Sequence, residues 1–496
     1  MNPLAERLRT VMALDATAPA IEFEQHWYTW GDVGRTAAAV AETLAALGAG
    51  PGSRVGVLLR NRPVPVGLAL GVLAAEACLV TVNPLLGVER VQRDLVDLDL
   101  AAVAGEPDDI AALVTDAVRA RSAVVTLDDL GGHLACTPAP GSPSVPLPEP
   151  LPGVAVRMLT SGTTGPPSRI DLTDETLWRV MEGAKHYESS ARAEVRLRDG
   201  VVVVNSPMVH LGGLFRVVQA VCDGRKFALL ERFRVDTWAD AVRRHQPRTV
   251  SLVPSALRMV LDADLDPADL ASVRSVISGT APLDPDLADA FTERYGVPVL
   301  TSYAATEFGG GVAGWNLADH ERFGVAKRGS VGRAHAGCAL RVVDEATGAE
   351  LDPDAVGLLE VRTAQIDPDR WIRTTDLARL DADGFLWIVG RADQTILRGG
   401  FKVQPETVRT VLARDPEVVD AVVLGVPDER LGAVPVAVVE RVPGTNPRPE
   451  DLIARASAAL APYEVPTRVV VVDALVRTAS AKVDLTAARA LFDAAD

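Results

Sequence analysis

Between Arg54 and Thr301, short runs rich in valine and leucine alternate with segments that carry apolar residues at helical spacing. Such alternation restricts a chain to layered α/β architecture built on a largely parallel sheet. Arg54–Leu59, Leu79–Val82, Val154–Leu159, Val201–Asn205, Phe227–Leu230, Thr249–Val253, Ser275–Ser278 and Pro298–Thr301 read as strands. Upstream, Trp27–Trp30 reads as an edge strand and Asp32–Leu47 as a helix. Val88–Leu98 reads as a helix, and Thr173 as the N-cap of another, with Asp174 and Glu175 suited to the positive helix end. Pro65–Val82 is the most apolar run, but its prolines, glycines and Glu76 favour a buried helix over a membrane span. Seven prolines between Cys136 and Gly153 exclude a regular helix or central strand there and predict a surface connection between subdomains.

A chain of 496 residues cannot close around one core. Beyond Gly390 the pattern changes: a helix over Glu406–Ala413 led by Pro405, β-branched runs at Val418–Val426 and Val434–Val439, a helix at Asp451–Leu460 and a strand at Arg468–Val472. The expected organisation is therefore α/β, with a large N-terminal domain of several layered subdomains (residues 1–391). A small α+β C-terminal domain (392–496) follows, of a size that can fold alone.

The balance of 66 acidic against 50 basic residues, net −16, argues against nucleic acid or an anionic membrane as partner. An anionic ligand must then be held by local donors. Cys78, Cys136, Cys222 and Cys338 lie far apart without Cys-x-x-Cys spacing, which gives neither a disulfide framework nor a zinc site and fits a reducing cytoplasm. Met1–Met12 has no apolar signal core, so a cytoplasmic protein without a membrane span is expected.

Directly after the Val154–Leu159 run stands Thr160-Ser161-Gly162-Thr163-Thr164-Gly165-Pro166-Pro167. Hydroxyls beside glycines can bring side-chain and backbone donors close to a phosphate; the alternative is an exposed turn of small residues. The Gly-Lys-Ser/Thr ending of a Walker loop is absent. Four motifs follow in order: Ser278-Gly279-Thr280-Ala281-Pro282-Leu283, Tyr303-Ala304-Ala305-Thr306-Glu307, Thr375-Asp376-Leu377 through Gly390-Arg391, and Ser480-Ala481-Lys482. Together the five resemble the AMP-forming acyl-adenylate superfamily, which includes acyl- and aryl-CoA synthetases, peptide-synthetase adenylation domains and luciferases.

The resemblance implies ATP and Mg2+ as cofactors and CoA as co-substrate, with a carrier protein as the other possible acceptor. It implies a nucleotide site formed by Thr160, Ser161, Gly162, Thr163, Thr164, Gly165, Gly279, Thr280, Ala281, Tyr303, Thr306, Asp376, Arg391 and Lys482. The residue types suit those roles. A tyrosine ring can lie on adenine, an aspartate can accept from ribose hydroxyls, a hydroxyl can donate to phosphate, and Glu307 offers a hard oxygen to Mg2+. Arg391 carries a fork of donors for oxyanions. Lys482 is the implied catalytic lysine, placed to neutralise charge in the adenylation transition state. His210, in Pro207-Met208-Val209-His210-Leu211-Gly212-Gly213, matches a histidine beside the substrate carboxylate in CoA-ligase branches. The pocket is then expected around His210, Gly212, Ser302, Ala304, Gly309, Gly310 and Gly311, with the glycines leaving room for a flat or extended group. Asp393 matches the hinge and Gly399-Gly400 the loop lining the thiol tunnel. No aspartate stands in Val209–Phe215, which disfavours an α-amino acid.

The chain departs from the family pattern at Pro167-Ser168-Arg169, where Pro-Lys-Gly is usual, and Arg169 is expected to replace the missing lysine. Thr375 and Ala481 each stand where glycine is usual. The implied activity is acyl-AMP formation from an aryl or acyl acid with pyrophosphate release, then transfer to CoA. The alternatives are activation of another acid such as nitrite, for N–N bond formation with an aryl amine, and a catalytically impaired ligand-binding member.

Overall fold

The alternating runs assemble, in the computed structural model, into five sheets among the described residues, which are 2–140, 147–159, 169–184, 195–477 and 483–494. The largest has seven strands in the order Leu134–Thr137, Ala123–Leu127, Ala102–Gly105, Arg54–Leu58, Cys78–Val82, Val154–Leu159 and Arg169–Thr173. The inner five are parallel and the two outer strands antiparallel. Side-chain period two explains why the parallel strands read as continuous apolar runs. Val55, Val57 and Leu79 face the core that contains the fully buried Pro63–Ala74 helix, whereas Cys78, Val80 and Val82 face the core of the Val88–Asp97 helix.

A second sheet orders Arg198–Val204, Arg225–Leu229, Pro19–Phe23 and His26–Thr29, the last at the edge as expected. Asn61 ties it to the first sheet. Its amide donates to the carbonyls of Ser206 (2.9 Å) and Leu230 (3.1 Å), and its carbonyl accepts from Met208 N (2.8 Å). A third sheet sets Thr249–Ser251, Ser275–Ser278 and Val299–Ala305 in parallel, followed by antiparallel Gly310–Gly314 and Arg333–Ala334.

Helix starts follow capping chemistry. The helix expected from Asp32 begins at Trp30, because Thr29 and Asp32 form a reciprocal capping box. Thr173 Oγ1 accepts from Thr176 N (3.0 Å) at the start of the Asp174–Ala184 helix. An antiparallel four-stranded meander, Cys338–Val343, Val356–Thr363, Asp367–Leu380 and Leu386–Arg391, has no counterpart in the sequence reading. One face is covered by charge and aromatics rather than by an apolar alternation: Glu360 binds Arg341 (2.6 Å) and Arg373 (2.9 Å), and Arg341 and Arg362 lie over Trp371.

After a single 3₁₀ turn at Ala392–Gln394 comes the small α+β unit. Its central strand Gly432–Arg441 turns Ala437 and Val439 toward the Pro405–Ala413 and Pro449–Ser457 helices, and Val436 and Val438 toward the Leu485–Ala494 helix. Among the described residues no helix is long and apolar enough to cross a membrane.

Candidate active site

The third sheet and the meander meet at the residues singled out by the Tyr303 and Asp376 motifs. Tyr303 sits on Val299–Ala305, and its hydroxyl donates a short hydrogen bond to Asp376 Oδ2 on Asp367–Leu380. Burial, with Asp376 beside it, pushes the phenol pKa well up, so the proton stays on Tyr303. Asp376 pairs in register with Arg391 on the next strand. Arg391 in turn donates to Thr375 Oγ1 (2.6 Å) and, through Nε and Nη2, to Asp393 (2.9 and 2.8 Å). Thr375, where the family usually has glycine, is therefore a hydrogen-bond partner and not only a backbone restriction.

Two further motif positions adjoin this group. Gly279 runs so close to Ser302 that a Cβ would lie 2.8 Å from its Oγ. The next residue, Thr280, takes φ +70°, a left-handed conformation that costs a β-branched residue about 1–3 kcal/mol and marks sites of function. Thr306 and Glu307 form a 3₁₀ turn at the end of the Tyr303 strand, closed by left-handed Gly309. Ala304 and the Glu307 carboxylate are exposed. A lone carboxylate on this turn fits Mg2+, which takes one or two protein oxygens and completes its shell with phosphates and water.

Two expectations change. Arg169, expected to stand in for the missing lysine, is engaged by the N-terminal sheet and its helix: its Nη2 pairs with Asp94 (2.6 Å) and its Nη1 donates to Thr81 O (3.0 Å). The strand Arg169–Thr173 pairs antiparallel with Val154–Leu159 and turns the guanidinium onto the Val88–Asp97 helix. The space beside Gly309–Gly311 is already occupied. A Cβ would meet Thr176 Cγ2 at 2.6 Å from Gly309, Val180 Cγ1 at 3.2 Å from Gly310 and His335 Cε1 at 3.3 Å from Gly311. These glycines let a helix and a histidine approach the strand; they do not open a slot beside it. His335 itself went unnoticed in sequence because it stands in an Ala-His-Ala setting. It lies against Gly311 and Gly314, its Nδ1 donates to Gly311 O (3.2 Å), and burial keeps its pKa below the ordinary value, so the ring is neutral.

His210 is the N-cap of the Leu211–Cys222 helix without a side-chain cap hydrogen bond. Gly213 is required there, since a Cβ would sit 2.2 Å from Pro207 O, whereas a Cβ on Gly212 would have none of the described residues within 4 Å. Gly399 and Gly400, with φ of +57° and +91°, turn the Ile396–Arg398 hairpin, and Phe401 stacks on Tyr463 at 4.6 Å. The loop Thr160–Gly165 and Lys482 lie outside the described residues.

The sequence profile of the AMP-binding enzyme family matches residues 8–367, and that of the AMP-binding enzyme C-terminal domain matches residues 408–482. The chain belongs to the AMP-binding enzyme family. Among relatives of this AMP-binding enzyme is indoleacetate–CoA ligase of Aromatoleum aromaticum, 31% identical over 65% of the chain. The aligned part spans only 64% of that relative's own length. A fatty acid–[acyl-carrier-protein] ligase, ScoC of Streptomyces coeruleorubidus, is 28% identical over 95% of the chain and 92% of its own length. The fold matches the o-succinylbenzoate coenzyme A synthetase of Bacillus subtilis in complex with ATP and magnesium ion, with TM-score 0.79, 23% identity and coverage of 98% and 99% of the two chains.

The Tyr303–Asp376 contact of this AMP-binding enzyme has a measurable signature. Tyr303→Phe should lower stability by about 1 kcal/mol near neutral pH, for a partly screened bond to a charged acceptor. Because the folded pKa is raised, folded Tyr303 keeps its proton above pH 10, where unfolded tyrosine loses it. The advantage of wild type over the variant should therefore shrink as pH rises through 10 and beyond, as thermal unfolding would show. A pH-independent difference would remove the buried hydrogen bond from the account.

Proposed function

We propose that this chain is an ATP- and Mg2+-dependent ligase that activates an aryl or acyl carboxylic acid as its acyl-AMP. The acid's carboxylate oxygen attacks the α-phosphorus of ATP, the bond to pyrophosphate breaks, and a thiol then attacks the acyl carbonyl and releases AMP. Coenzyme A is the proposed acceptor, in keeping with the name of the Aromatoleum relative. A carrier protein is the second candidate, in keeping with that of the Streptomyces relative.

The observation that carries the reading is the contact between Tyr303 and Asp376. One carboxylate oxygen is held by the phenol, which fixes the side chain and leaves acceptor capacity on Oδ1 for a vicinal diol such as ribose. The Tyr303 ring, tilted 47° to Phe308 at 6.0 Å, provides the apolar surface beside that diol site for a base. Thr306 and Glu307 follow in the 3₁₀ turn at the end of the same strand, where the phosphates of a nucleotide so placed would extend. Magnesium, when bound by Glu307, would neutralise phosphate charge there. Arg391 positions the end of its strand through Thr375 and Asp393. Lys482 is assigned the transition-state cation and His210 the neighbour of the acid's carboxylate.

Pyrophosphate release, measured with ATP, Mg2+ and a panel of aryl and acyl acids, tests the reading. It should depend on both ATP and acid. Release with no acid in the panel would contradict ligase activity and favour a binding role.

A further inference from the structure

The Leu211–Cys222 helix, Leu-Gly-Gly-Leu-Phe-Arg-Val-Val-Gln-Ala-Val-Cys, contains one charged residue, Arg216. Gly213, Leu214, Val217, Val218, Ala220 and Val221 form its buried face. Gly212 and Arg216 are four residues apart and so share the opposite face, about 6 Å along the axis. Helical side chains lean toward the N-terminus, which directs Arg216 over the turn that carries Gly212 and His210. Among the described residues nothing comes within 4 Å of a Cβ placed on Gly212, so none of them fills the space beside that turn.

Arg216 is only partly accessible, and protein surrounds it closely enough that burial alone depresses its pKa. Among the described residues no hydrogen bond or ion pair engages it. This contrasts with Arg60, Arg169 and Arg409, each of which meets a carboxylate. A guanidinium enclosed to this degree without a carboxylate is costly to keep unless a ligand supplies the counter-charge.

We propose that Arg216 is a specificity-determining residue that receives a second carboxylate on the acid to be activated, six residues and so about 9 Å of helix rise from His210, beside which the first carboxylate is placed. The substrate class is then a dicarboxylic acid. This rests on the reading of the site as an acid-activating one, and it adds the charge of the acid's far end. A guanidinium fork suits a carboxylate through two parallel hydrogen bonds.

The test compares matched acids: 4-carboxycinnamate against 4-methylcinnamate, and adipate against hexanoate. Two readouts are used, pyrophosphate release with ATP and calorimetric binding in the presence of AMP. Wild type should favour the dianion in at least one pair, and Arg216→Met should reduce that preference about 10²-fold, by removing a buried charge-assisted contact. Arg216→Lys should restore part of it. Because Arg216→Met removes an unpaired, partly enclosed charge, its melting temperature should equal or exceed that of wild type, whereas a structural arginine would cost stability. Equal use of both members of each pair by wild type, an unchanged preference in Arg216→Met, or a fall in its melting temperature would overturn the proposal. A binding preference lost in Arg216→Met, without pyrophosphate release from any acid, would uphold Arg216 while refuting the ligase reading.

Discussion

Replacing Lys482 with alanine should lower adenylate formation by about 10²–10³-fold, the usual cost of removing one donor aimed at charge that develops in the transition state. Thioester formation from supplied acyl-AMP should largely survive, because pyrophosphate has already left, no bond to the α-phosphorus is made or broken, and thiol attack first builds charge on the acyl carbonyl oxygen. The expectation rests on the place of Lys482 in Ser480-Ala481-Lys482, at the end of the small unit. Rapid-quench measurement of each half-reaction separates the two. Equal loss in both would remove Lys482 from the adenylation step.

Asp393→Pro should have the converse effect. Asp393 lies in the single 3₁₀ turn, Ala392–Gln394, that joins the meander to the Ile396–Arg398 hairpin. If one small domain serves adenylation through Lys482 and thiol transfer through Gly399-Gly400, this turn is where backbone torsion must change. Proline fixes φ near −65° and removes a backbone donor. Adenylation should persist while transfer falls sharply, with acyl-AMP retained on the protein. The carboxylate is also bound by Arg391, so Asp393→Ala is the control that removes the ion pair and leaves the torsion free. That control should support both half-reactions. Proportional loss of both steps in Asp393→Pro, or loss of neither, would take the hinge out of the mechanism.

The parts of the fold legible in sequence were those where burial on both faces makes strands continuously apolar. Cys78–Val82 is the clearest case, buried at every position. The meander was hidden because its Asp367–Leu380 strand carries three arginines and a tryptophan, stabilised by cross-strand pairs that only register can reveal. At the site, residue identity was informative where one motif meets another: Tyr303, Asp376, Arg391 and Asp393 form one chain of contacts, although Tyr303 and Asp376 stand 73 residues apart. It was misleading where the partner belongs to no motif. Arg169 follows the glycine loop in sequence but binds Asp94, 75 residues earlier. The glycines at 309–311 signalled that side chains were unwelcome without saying what stood beside them, which is the Asp174–Ala184 helix and His335. Arg216 did leave a signal, a single charge in a helix otherwise without one.

In the proposed reaction a carboxylate oxygen of the acid becomes bonded to the α-phosphorus of ATP. Incubation with ATP, Mg2+, coenzyme A and an acid labelled with 18O in its carboxylate, followed by mass spectrometry of the released AMP, measures this directly. The released AMP should carry one 18O from the acid and be formed together with pyrophosphate. Unlabelled AMP, or release of ADP and phosphate in place of pyrophosphate, would contradict the proposed reaction.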